Sequence, residues 1–222
     1  MRMKIRSTML IGLSCLLVSI SSIAKEPANL ALAKQTVIQY HDSGEYDKDI
    51  SHVIDRAMAY LKARVNSPKT LGKKPAIVLD IDETSLSNYP DMKRLDFGGT
   101  IEEIRADEDK AVDDPITPTL KLYQYANEHH IAVIFLTGRF EDERSVTEKN
   151  LESAGYKNWD KLILRDSEYK NVAASTYKTA MRKKLTAEGY NIILNIGDQQ
   201  SDLAGGYADK TYKLPNPYYF IK

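Results

Sequence analysis

Aspartates are concentrated in two short segments whose spacing could support metal binding and acid–base chemistry. Asp80 and Asp82 stand two residues apart, and Asp198 and Asp202 lie together in residues 197–202. Carboxylates at positions i and i+2 of an extended chain point the same way, so a cation or a shared proton must offset their repulsion. Carboxylate oxygens suit Mg²⁺, which keeps several of its waters. We therefore predict a magnesium site at Asp80, Asp82 and Asp198, with Asp202 orienting its ligands.

A third segment, Thr137-Gly138-Arg139, adds a hydroxyl group, a glycine turn and a cation. All three segments come directly after continuous apolar runs, which cover residues 75–79, 131–136 and 191–196. Runs of this kind are typical of strands buried on both faces. Asp and Gly also begin ordinary turns after strands, but this explanation accounts for one such segment more easily than for three.

Helical patterns alternate with the apolar runs along the chain. A fourth run covers residues 162–164, and apolar residues recur at helical spacing in residues 118–128, 141–154 and 176–188. This alternation predicts an α/β fold with a Rossmann-like, doubly wound parallel sheet of about five strands. In such sheets, ligands bind beyond the carboxyl ends of the strands. The three polar segments should therefore meet at one edge of the sheet.

Changes in composition along the chain indicate its domain organisation. The predicted parts are a signal peptide (1–24), a helical N-terminal extension (25–70) and an α/β core (71–222) that carries a small loop insert (85–116). The extension shows helical spacing over residues 28–40 and 46–65. The insert is rich in Gly and Pro and contains one acidic helix candidate over residues 101–109. No large cap domain is predicted.

The first 24 residues have the character of a secretory signal. Basic residues precede an apolar run over residues 9–20, and no acidic residue occurs in this segment. The run is shorter than the roughly 20 apolar residues that span a membrane. We therefore predict cleavage near Ala24, a periplasmic or secreted protein, and no membrane association afterwards. The single cysteine, Cys15, lies in this segment, so the mature chain would have no disulfide and no cysteine-based zinc site.

Overall charge and the positions of the histidines exclude two classes of function. The chain has 31 Lys and Arg against 31 Asp and Glu, so it lacks the basic excess that favours binding to a nucleic acid polymer. The histidines fall in helical segments away from the strand ends: His41, His52, His129 and His130. A histidine-based metal or catalytic site is therefore not predicted.

The order of the motifs resembles that of the haloacid dehalogenase superfamily: Asp-x-Asp-x-Thr at residues 80–84, then Thr-Gly-Arg, a lysine, and Gly-Asp-x-x-x-Asp. Residues 77–88, 197–203 and 213–217 are further similar to the acid phosphatases of its subfamily IIIB. That group includes plant acid phosphatases, vegetative storage proteins and bacterial class B and class C relatives. The similarity runs from about residue 70 to the C-terminus.

The resemblance implies a Mg²⁺-dependent acid phosphatase that hydrolyses small phosphate monoesters, with nucleoside monophosphates among the candidates. It makes Asp80 the nucleophile that becomes an aspartyl-phosphate, and Asp82 the general acid and base. The Mg²⁺ ligands would be the side chains of Asp80 and Asp198 and the backbone carbonyl of Asp82. Phosphate oxygens would be bound by the following residues: Thr137, Gly138, Arg139 and Lys178.

Several roles stay open on the sequence alone. Lys178 belongs to a basic run with Arg182, Lys183 and Lys184, and such a run is also typical of a solvated helix face. Arg139 could bind phosphate or form a structural ion pair. Site and loop roles are both open for Glu83, Asn88, Tyr89 and Phe97, of which the last two could line a leaving-group pocket. The oligomeric state is also open.

Two other functions share parts of this pattern. A non-catalytic storage or phosphate-binding relative would not need an intact nucleophile, and here Asp80 and Asp82 are both present. A phosphoacceptor receiver domain also uses strand-end Asp, Thr and Lys, but the predicted export and the motif at residues 197–202 oppose it. Acid phosphatase is therefore the predicted function, and a storage or binding protein is the alternative.

Overall fold

A computed structural model describes residues 27–67 and 74–221. The predicted signal peptide, its cleavage near Ala24, and the predicted boundary at residues 70–71 lie outside the described residues. Within the described ranges, no helix is long and apolar enough to cross a membrane.

The chain folds into strands and helices that alternate, as the sequence predicts. The strands are β1 (Pro75–Leu79), β2 (Leu86–Ser87), β3 (Asp114–Pro115), β4 (Ala132–Phe140), β5 (Lys161–Arg165), β6 (Asn191–Gly197) and β7 (Thr211–Lys213). The helices are α1 (Leu30–Asp42), α2 (Glu45–Val65), α3 (Tyr89–Arg94), α4 (Ile101–Glu108), α5 (Thr117–Glu128), α6 (Arg144–Ser153), α7 (Ala174–Ala187) and α8 (Gln200–Leu203).

A parallel sheet in the order β5-β4-β1-β6-β7 forms the centre of the fold. The chain moves outwards from β1 to β5 and then crosses back to build the other half of the sheet with β6 and β7. The direction of winding therefore reverses between β1 and β6, where Leu79 is paired with Ile196. A crevice forms at such a reversal, beyond the carboxyl ends of the strands. The predicted α/β fold with a parallel sheet is confirmed.

Both faces of the sheet are buried, which explains the unbroken apolar runs. In β1, Ile77 and Leu79 join the larger core cluster, whereas Ala76 and Val78 join the smaller one on the opposite face. Successive strand residues point to opposite faces, so each run must be apolar at every position. Helices α2, α5 and α6 contribute to the larger cluster, and α7 covers the other face through Tyr177 and Leu185.

The structure differs from the prediction at a few element ends. Strand β4 runs on to Phe140 and so includes Thr137-Gly138-Arg139, which the sequence placed after the strand. Its ladder with β5 is interrupted between Leu136 and Phe140, so these three residues are released from regular pairing without ending the strand. The position of β7 was not predicted, because this strand is short and none of its residues is buried.

The insert is more regular than the predicted loop. Besides α4, near the predicted acidic helix, it contains α3 and the antiparallel pair formed by β2 and β3. Helix α4 begins with a capping box in which Thr100 and Glu103 satisfy each other's backbone N–H groups. Helix α3 has a proline in its first turn and basic residues in its last turn, both favourable positions. The insert therefore forms an ordered wall above the strand ends.

Candidate active site

Adjacent strand ends bring three carboxylates together. Asp80 follows β1 and Asp198 follows β6, and β1 and β6 are neighbours in the sheet. Asp202 returns from α8, and one carboxylate oxygen from each of Asp80, Asp198 and Asp202 lies within 4.8 Å of the others. The Asp202 side chain packs directly against the backbone of residue 197. This position requires glycine, because a Cβ atom there would come within 2.3 Å of the Asp202 side chain.

This cluster is buried and carries an excess of negative charge. Burial raises the pKa of Asp80 well above its ordinary value, and the charges of Asp202 and Asp198 raise it further, against the opposing charge of Lys178. Burial and the charge of Asp202 also raise the pKa of Asp198. Carboxylate oxygens are the ligands that a divalent cation such as Mg²⁺ prefers. Such a cation would also neutralise the excess negative charge of the cluster. The residues present therefore fit such an ion.

Lys178 of α7 lies inside the cluster. Its Nζ atom donates hydrogen bonds to Asp80 Oδ1 at 2.6 Å and to Asp202 Oδ1 at 2.5 Å. Burial acts to lower the pKa of Lys178, but the charges of Asp202 and Asp80 outweigh it, so the pKa is raised and the lysine stays protonated. The rest of the basic run does not reach the cluster: Arg182 binds backbone carbonyls, and Lys183 and Lys184 are exposed.

Asp82 is held by Arg139 rather than by the carboxylate cluster. Arg139 Nη2 donates to Asp82 Oδ1 at 2.6 Å, and Asn88 Nδ2 donates to the same oxygen at 2.8 Å. Burial acts to raise the pKa of Asp82, but the charge and hydrogen bonds of Arg139 and the amide of Asn88 outweigh it, so the pKa is lowered. With its side chain 19% exposed, Asp82 lines the same cavity as Asp80.

Two further acids surround Arg139, and the sequence analysis did not identify either. Glu108 Oε1 lies 3.9 Å from Arg139 Nε, and Asp113 Oδ2 lies 3.7 Å from Arg139 Nη2. Burial, with the charge of Asp82, raises the pKa of Glu108 to about 9 against the opposing charge of Arg139. Burial likewise raises the pKa of Asp113 to about 7. Arg139 is therefore enclosed by acids, and Asp82 is its hydrogen-bonded partner.

Thr137 and Gly138 occupy different positions relative to the cavity. Gly138 is exposed, lines the cavity and has open space on its Cβ side, so a ligand can approach its backbone closely. Thr137 is fully buried, and its hydroxyl oxygen accepts a hydrogen bond from the Arg139 N–H at 3.1 Å. Thr137 does not line the cavity, and its predicted phosphate contact stays a prediction.

Glu83 is a buried support of the loop that follows β1. It adopts φ 52°, in the left-handed region that non-glycine residues rarely occupy. Its Oε1 atom accepts a hydrogen bond from the Asn88 N–H at 2.7 Å, while Oε2 is buried without a partner. The loop thereby holds Asn88 against Asp82. The sequence analysis left the roles of Glu83 and Asn88 open. In the structure Asn88 lines the cavity beside Asp82, and Glu83 lies behind it.

A cavity of about 590 Å³ opens above these residues. Its base contains Asp80, Asp82, Lys178, Asp198 and Asp202. Its outer part is mainly apolar and comes from three separate segments, the insert, the end of β4 and the C-terminal segment: Met92, Phe97, Ile101, Ile104, Phe140, Tyr218, Phe220 and Ile221. A phosphate group would fit the charged base, and an apolar leaving group would fit the outer part.

An aromatic cluster supports one wall of this cavity. Phe97 and Tyr218 lie with ring centroids 6.0 Å apart, and Tyr89 packs behind them without lining the cavity. His41 of α1 stacks on Tyr89 at 3.4 Å, and its Nδ1 atom is 2.5 Å from the Tyr218 hydroxyl. The helical extension therefore reaches the site region through His41. The sequence analysis named Phe97 and Tyr89 as pocket candidates, did not single out Tyr218, and expected His41 to lie in a helix away from the strand ends. His41 does lie in a helix but packs behind the cavity wall, because no local pattern shows that such distant segments meet.

A parallel sheet with an Asp-x-Asp pair after its first strand, and with a lysine and a Gly-Asp-x-x-x-Asp segment beside it, defines the class of haloacid dehalogenase-like α/β proteins. Residues 6–222 match the family model of the HAD superfamily, subfamily IIIB (Acid phosphatase), and the chain belongs to this family. The predicted family and the predicted enzyme class, an acid phosphatase that acts on phosphate monoesters, are confirmed.

Similar proteins include several from plants. The chain is 39% identical to Stem 28 kDa glycoprotein of Glycine max and 38% identical to Acid phosphatase 1 of Solanum lycopersicum, each over 83% of this chain and 73% of the relative. It is 33% identical to Vegetative storage protein 2 of Arabidopsis thaliana, over 81% of this chain and 68% of the relative. The Class C acid phosphatase from Bacillus anthracis has the same fold, with a TM-score of 0.71 at 22% identity, over 86% of this chain and 85% of that one.

Proposed function

We propose that this chain is an exported, Mg²⁺-dependent acid phosphatase that hydrolyses small phosphate monoesters through an aspartyl-phosphate on Asp80. The observation that carries the proposal is that Asp80 lies at the base of the cavity, hydrogen-bonded to Lys178, and that Asp82 lines the same cavity. A nucleophile, a cation and an acid–base group thus face one space. The match to a family of acid phosphatases supports the same reaction.

Asp80 is the proposed nucleophile because hydrogen bonds hold both its backbone and its carboxylate in place. Its N–H donates to Ile196 O at 3.0 Å, and its carbonyl accepts a hydrogen bond from Ser85 Oγ at 2.6 Å. One carboxylate oxygen attacks phosphorus, an aspartyl-phosphate forms, and the bond to the leaving oxygen breaks. Lys178, bonded to Asp80 and Asp202, offsets part of the negative charge that the substrate phosphate brings.

Asp82 is the proposed proton donor and acceptor. Asp82 must carry a proton for the first step, which Arg139 and Asn88 disfavour in the free site and the negative charge of a bound phosphate would favour. It gives this proton to the leaving oxygen as the ester bond breaks, and then takes a proton from the water that attacks the aspartyl-phosphate. That second step releases inorganic phosphate and restores Asp80. Arg139 and Asn88 hold the Asp82 carboxyl group in one orientation through both steps.

A divalent cation would be held by the carboxylates of Asp80 and Asp198, with the backbone carbonyl of Asp82. Asp202 lies within reach of the same position. When bound, Mg²⁺ would supply positive charge that reduces repulsion between the nucleophile and the substrate phosphate. Asn216 and Gln199 orient Asp198, because their amide groups donate to Asp198 Oδ2 at 2.6 Å and 2.7 Å.

The apolar outer part of the cavity supports small esters with an organic leaving group, such as nucleoside monophosphates. Phe97 and Tyr218 offer ring surface at this wall. Export rests on the basic and apolar character of residues 1–24. The proposed location is the periplasm or the medium.

Hydrolysis of p-nitrophenyl phosphate by the full chain tests the proposal. We expect phosphate release with Mg²⁺ between about pH 4 and 8, loss of activity with EDTA, and a fall of about 10⁴-fold or more in kcat for Asp80→Asn. The matched control is Asp55→Asn, which changes an exposed aspartate of α2 and should leave activity unchanged. Activity that survives in Asp80→Asn would show that another group is the nucleophile. A native protein that binds Mg²⁺ and phosphate esters without turnover would instead support the storage or binding alternative.

A further inference from the structure

The basic side chains that line the cavity differ in whether they are hydrogen-bonded to a carboxylate. Lys178 is hydrogen-bonded to Asp80 and Asp202, and Arg139 is hydrogen-bonded to Asp82. The positive charges of Lys178 and Arg139 are therefore matched by the protein. Two other guanidinium groups line the same cavity, those of Arg105 and Arg165. Their surroundings are different.

Arg165, the last residue of β5, has no carboxylate partner in the part of the chain that the structure describes. Its Nη1 atom donates to Val172 O at 3.2 Å, while its Nε atom is buried without a hydrogen-bond partner. Its guanidinium lies over the Tyr177 ring at 5.1 Å and near the Phe140 ring at 5.8 Å. Burial lowers the pKa of Arg165 against the opposing effect of Tyr177, and no carboxylate of the described residues contributes. A partly buried cation with unused donors is costly unless an anion meets it.

Arg105 of α4 lies near the same ring. Its guanidinium is 5.0 Å from the centroid of Phe140. The nearest carboxylate oxygens, on Glu143 and Asp142, are 3.7 Å and 3.8 Å away, which is longer than a hydrogen bond. Glu143 is already used, since its Oε2 atom accepts the Phe140 N–H at 2.6 Å. Arg105 therefore also keeps donors available for a ligand.

These arginines stand apart from the base of the cavity. Strand β5 is separated from β1 by β4. Neighbouring strands lie about 4.8 Å apart, so the end of β5 is about 10 Å from the end of β1. Asp80 follows β1, and Arg139 of β4 lies between, already paired with Asp82. Arg165 is therefore about 10 Å from Asp80 along the edge of the sheet, within reach of the leaving group of an ester seated on Asp80.

We propose that Arg165 and Arg105 form an anion subsite beside Phe140, which binds a second anionic group carried by the leaving group of the substrate. The inference rests on the proposed function for the position of the phosphate ester at Asp80. Guanidinium groups present paired N–H donors that match the oxygens of a carboxylate or a phosphate. The preferred substrates would be phosphomonoesters with such a group, and simple neutral esters would be poorer ones.

Esters that differ only in charge test this subsite. Phosphate release would be measured with meta-carboxyphenyl phosphate and with its neutral isostere, meta-carbamoylphenyl phosphate. We expect kcat/KM to favour the carboxylate by about tenfold or more, the effect of one charge-assisted hydrogen bond. Meta-phenylene bisphosphate shows whether a phosphate serves as well as a carboxylate. No preference for either anion in the native enzyme would overturn the proposal.

Substitutions then assign the preference to the arginines. Arg165→Met should remove it while changing kcat/KM for the neutral isostere by less than about twofold, and Arg165→Lys should keep part of it. Arg105→Met, at a side chain that is 36% exposed, should reduce the preference without disturbing the core. The matched control is Arg144→Met, which changes an arginine outside the cavity that pairs with Glu141. An equal loss with both esters in Arg165→Met would place Arg165 on the transferred phosphoryl group and overturn the proposal.

A binding measurement separates this proposal from the proposed reaction. In Asp80→Asn, calorimetry would compare the affinities of the carboxyl and carbamoyl esters without turnover. Tighter binding of the carboxyl ester, lost in Asp80→Asn/Arg165→Met, supports the subsite even if the native chain hydrolyses neither ester. Equal affinities of the two esters would count against the subsite while leaving the phosphatase proposal intact.

Discussion

The base and the outer wall of the cavity are built in different ways. The base consists of residues that leave adjacent parallel strands, such as Asp80 after β1 and Asp198 after β6. The wall is lined by side chains from the insert, the ends of β4 and β5 and the C-terminal segment. His41 of the N-terminal helix supports it from behind through its contact with Tyr218. Backbone ladders position Asp80 and Asp198, whereas side-chain contacts position most of the wall. Phe140 and Arg165 are the exception, since they are partners in the ladder between β4 and β5.

The difference separates chemistry from recognition. The base carries the charged groups that can act on a phosphate ester, and their positions follow from the register of a buried sheet. The wall carries apolar rings and the two arginines beside Phe140. In the proposed complex these groups would contact only the leaving group. Changes in the base should therefore alter kcat, whereas changes in the wall should alter KM and the choice of substrate.

The largest effect is expected for Lys178→Met in the base. This change leaves the buried carboxylates of Asp80 and Asp202 without their cation, so we expect kcat/KM to fall by about 10²–10³-fold. The free energy of unfolding should fall by about 3–5 kcal/mol, because breaking a buried ion pair leaves charge uncompensated. Steady-state kinetics and urea unfolding measure the two effects.

A control from the same helix keeps this prediction specific. Lys183→Met removes an exposed lysine of α7, and both kinetics and stability should stay close to those of the native protein. If Lys178→Met retained native kcat, the assignment of Lys178 to the reaction would be wrong. The expectation that changes in the base alter kcat would then not hold for this residue.

A smaller effect is expected for Phe97→Ala in the wall. Loss of the ring that faces Tyr218 removes contact with an aromatic leaving group, so KM for p-nitrophenyl phosphate should rise by about tenfold with kcat within about twofold. Methyl phosphate, which has no ring to contact, serves as the matched substrate and should show an unchanged KM. A fall in kcat for both esters would mean that Phe97 also positions the base.

The smallest effect is expected for Asp113→Asn, at one of the acids near Arg139. It concerns the pH dependence of stability rather than activity. Burial raises the pKa of Asp113 from 3.8 to about 7. The folded state therefore binds more protons than the unfolded state between these values, so stability falls as pH rises through this range. The side chain of Asp113→Asn cannot ionise. The fall in the free energy of unfolding between about pH 4 and pH 7 should therefore be smaller in this variant by about 1–2 kcal/mol.

Urea midpoints measured from about pH 4 to pH 7 check this expectation. Asp114→Asn, which changes the exposed neighbouring aspartate, should follow the native curve. A native protein whose stability rises over the same range faster than that of Asp113→Asn would contradict the raised pKa of Asp113.

Much of the fold and the base could be predicted because each part has a local cause. The unbroken apolar run of residues 75–79 is needed for a strand that is buried on both faces, and the polar residues after it must lie at the edge of the sheet. The same reasoning applies to Asp198 after β6. The family motifs then distinguished Lys178 from the exposed Lys183 and Lys184 of the same helix, and the structure places Lys178 against Asp80.

The sequence by itself therefore determined the parallel sheet, the strand-end aspartates and the family, since these depend on neighbouring residues and on motif order. Only the tertiary structure decided that Asp82 pairs with Arg139 and that Glu108 and Asp113 surround this arginine. It likewise decided that His41 reaches Tyr218 and that Arg165 and Arg105 flank Phe140. These contacts join segments far apart in the chain, and the free energy of each depends on burial and on partners that no local pattern contains.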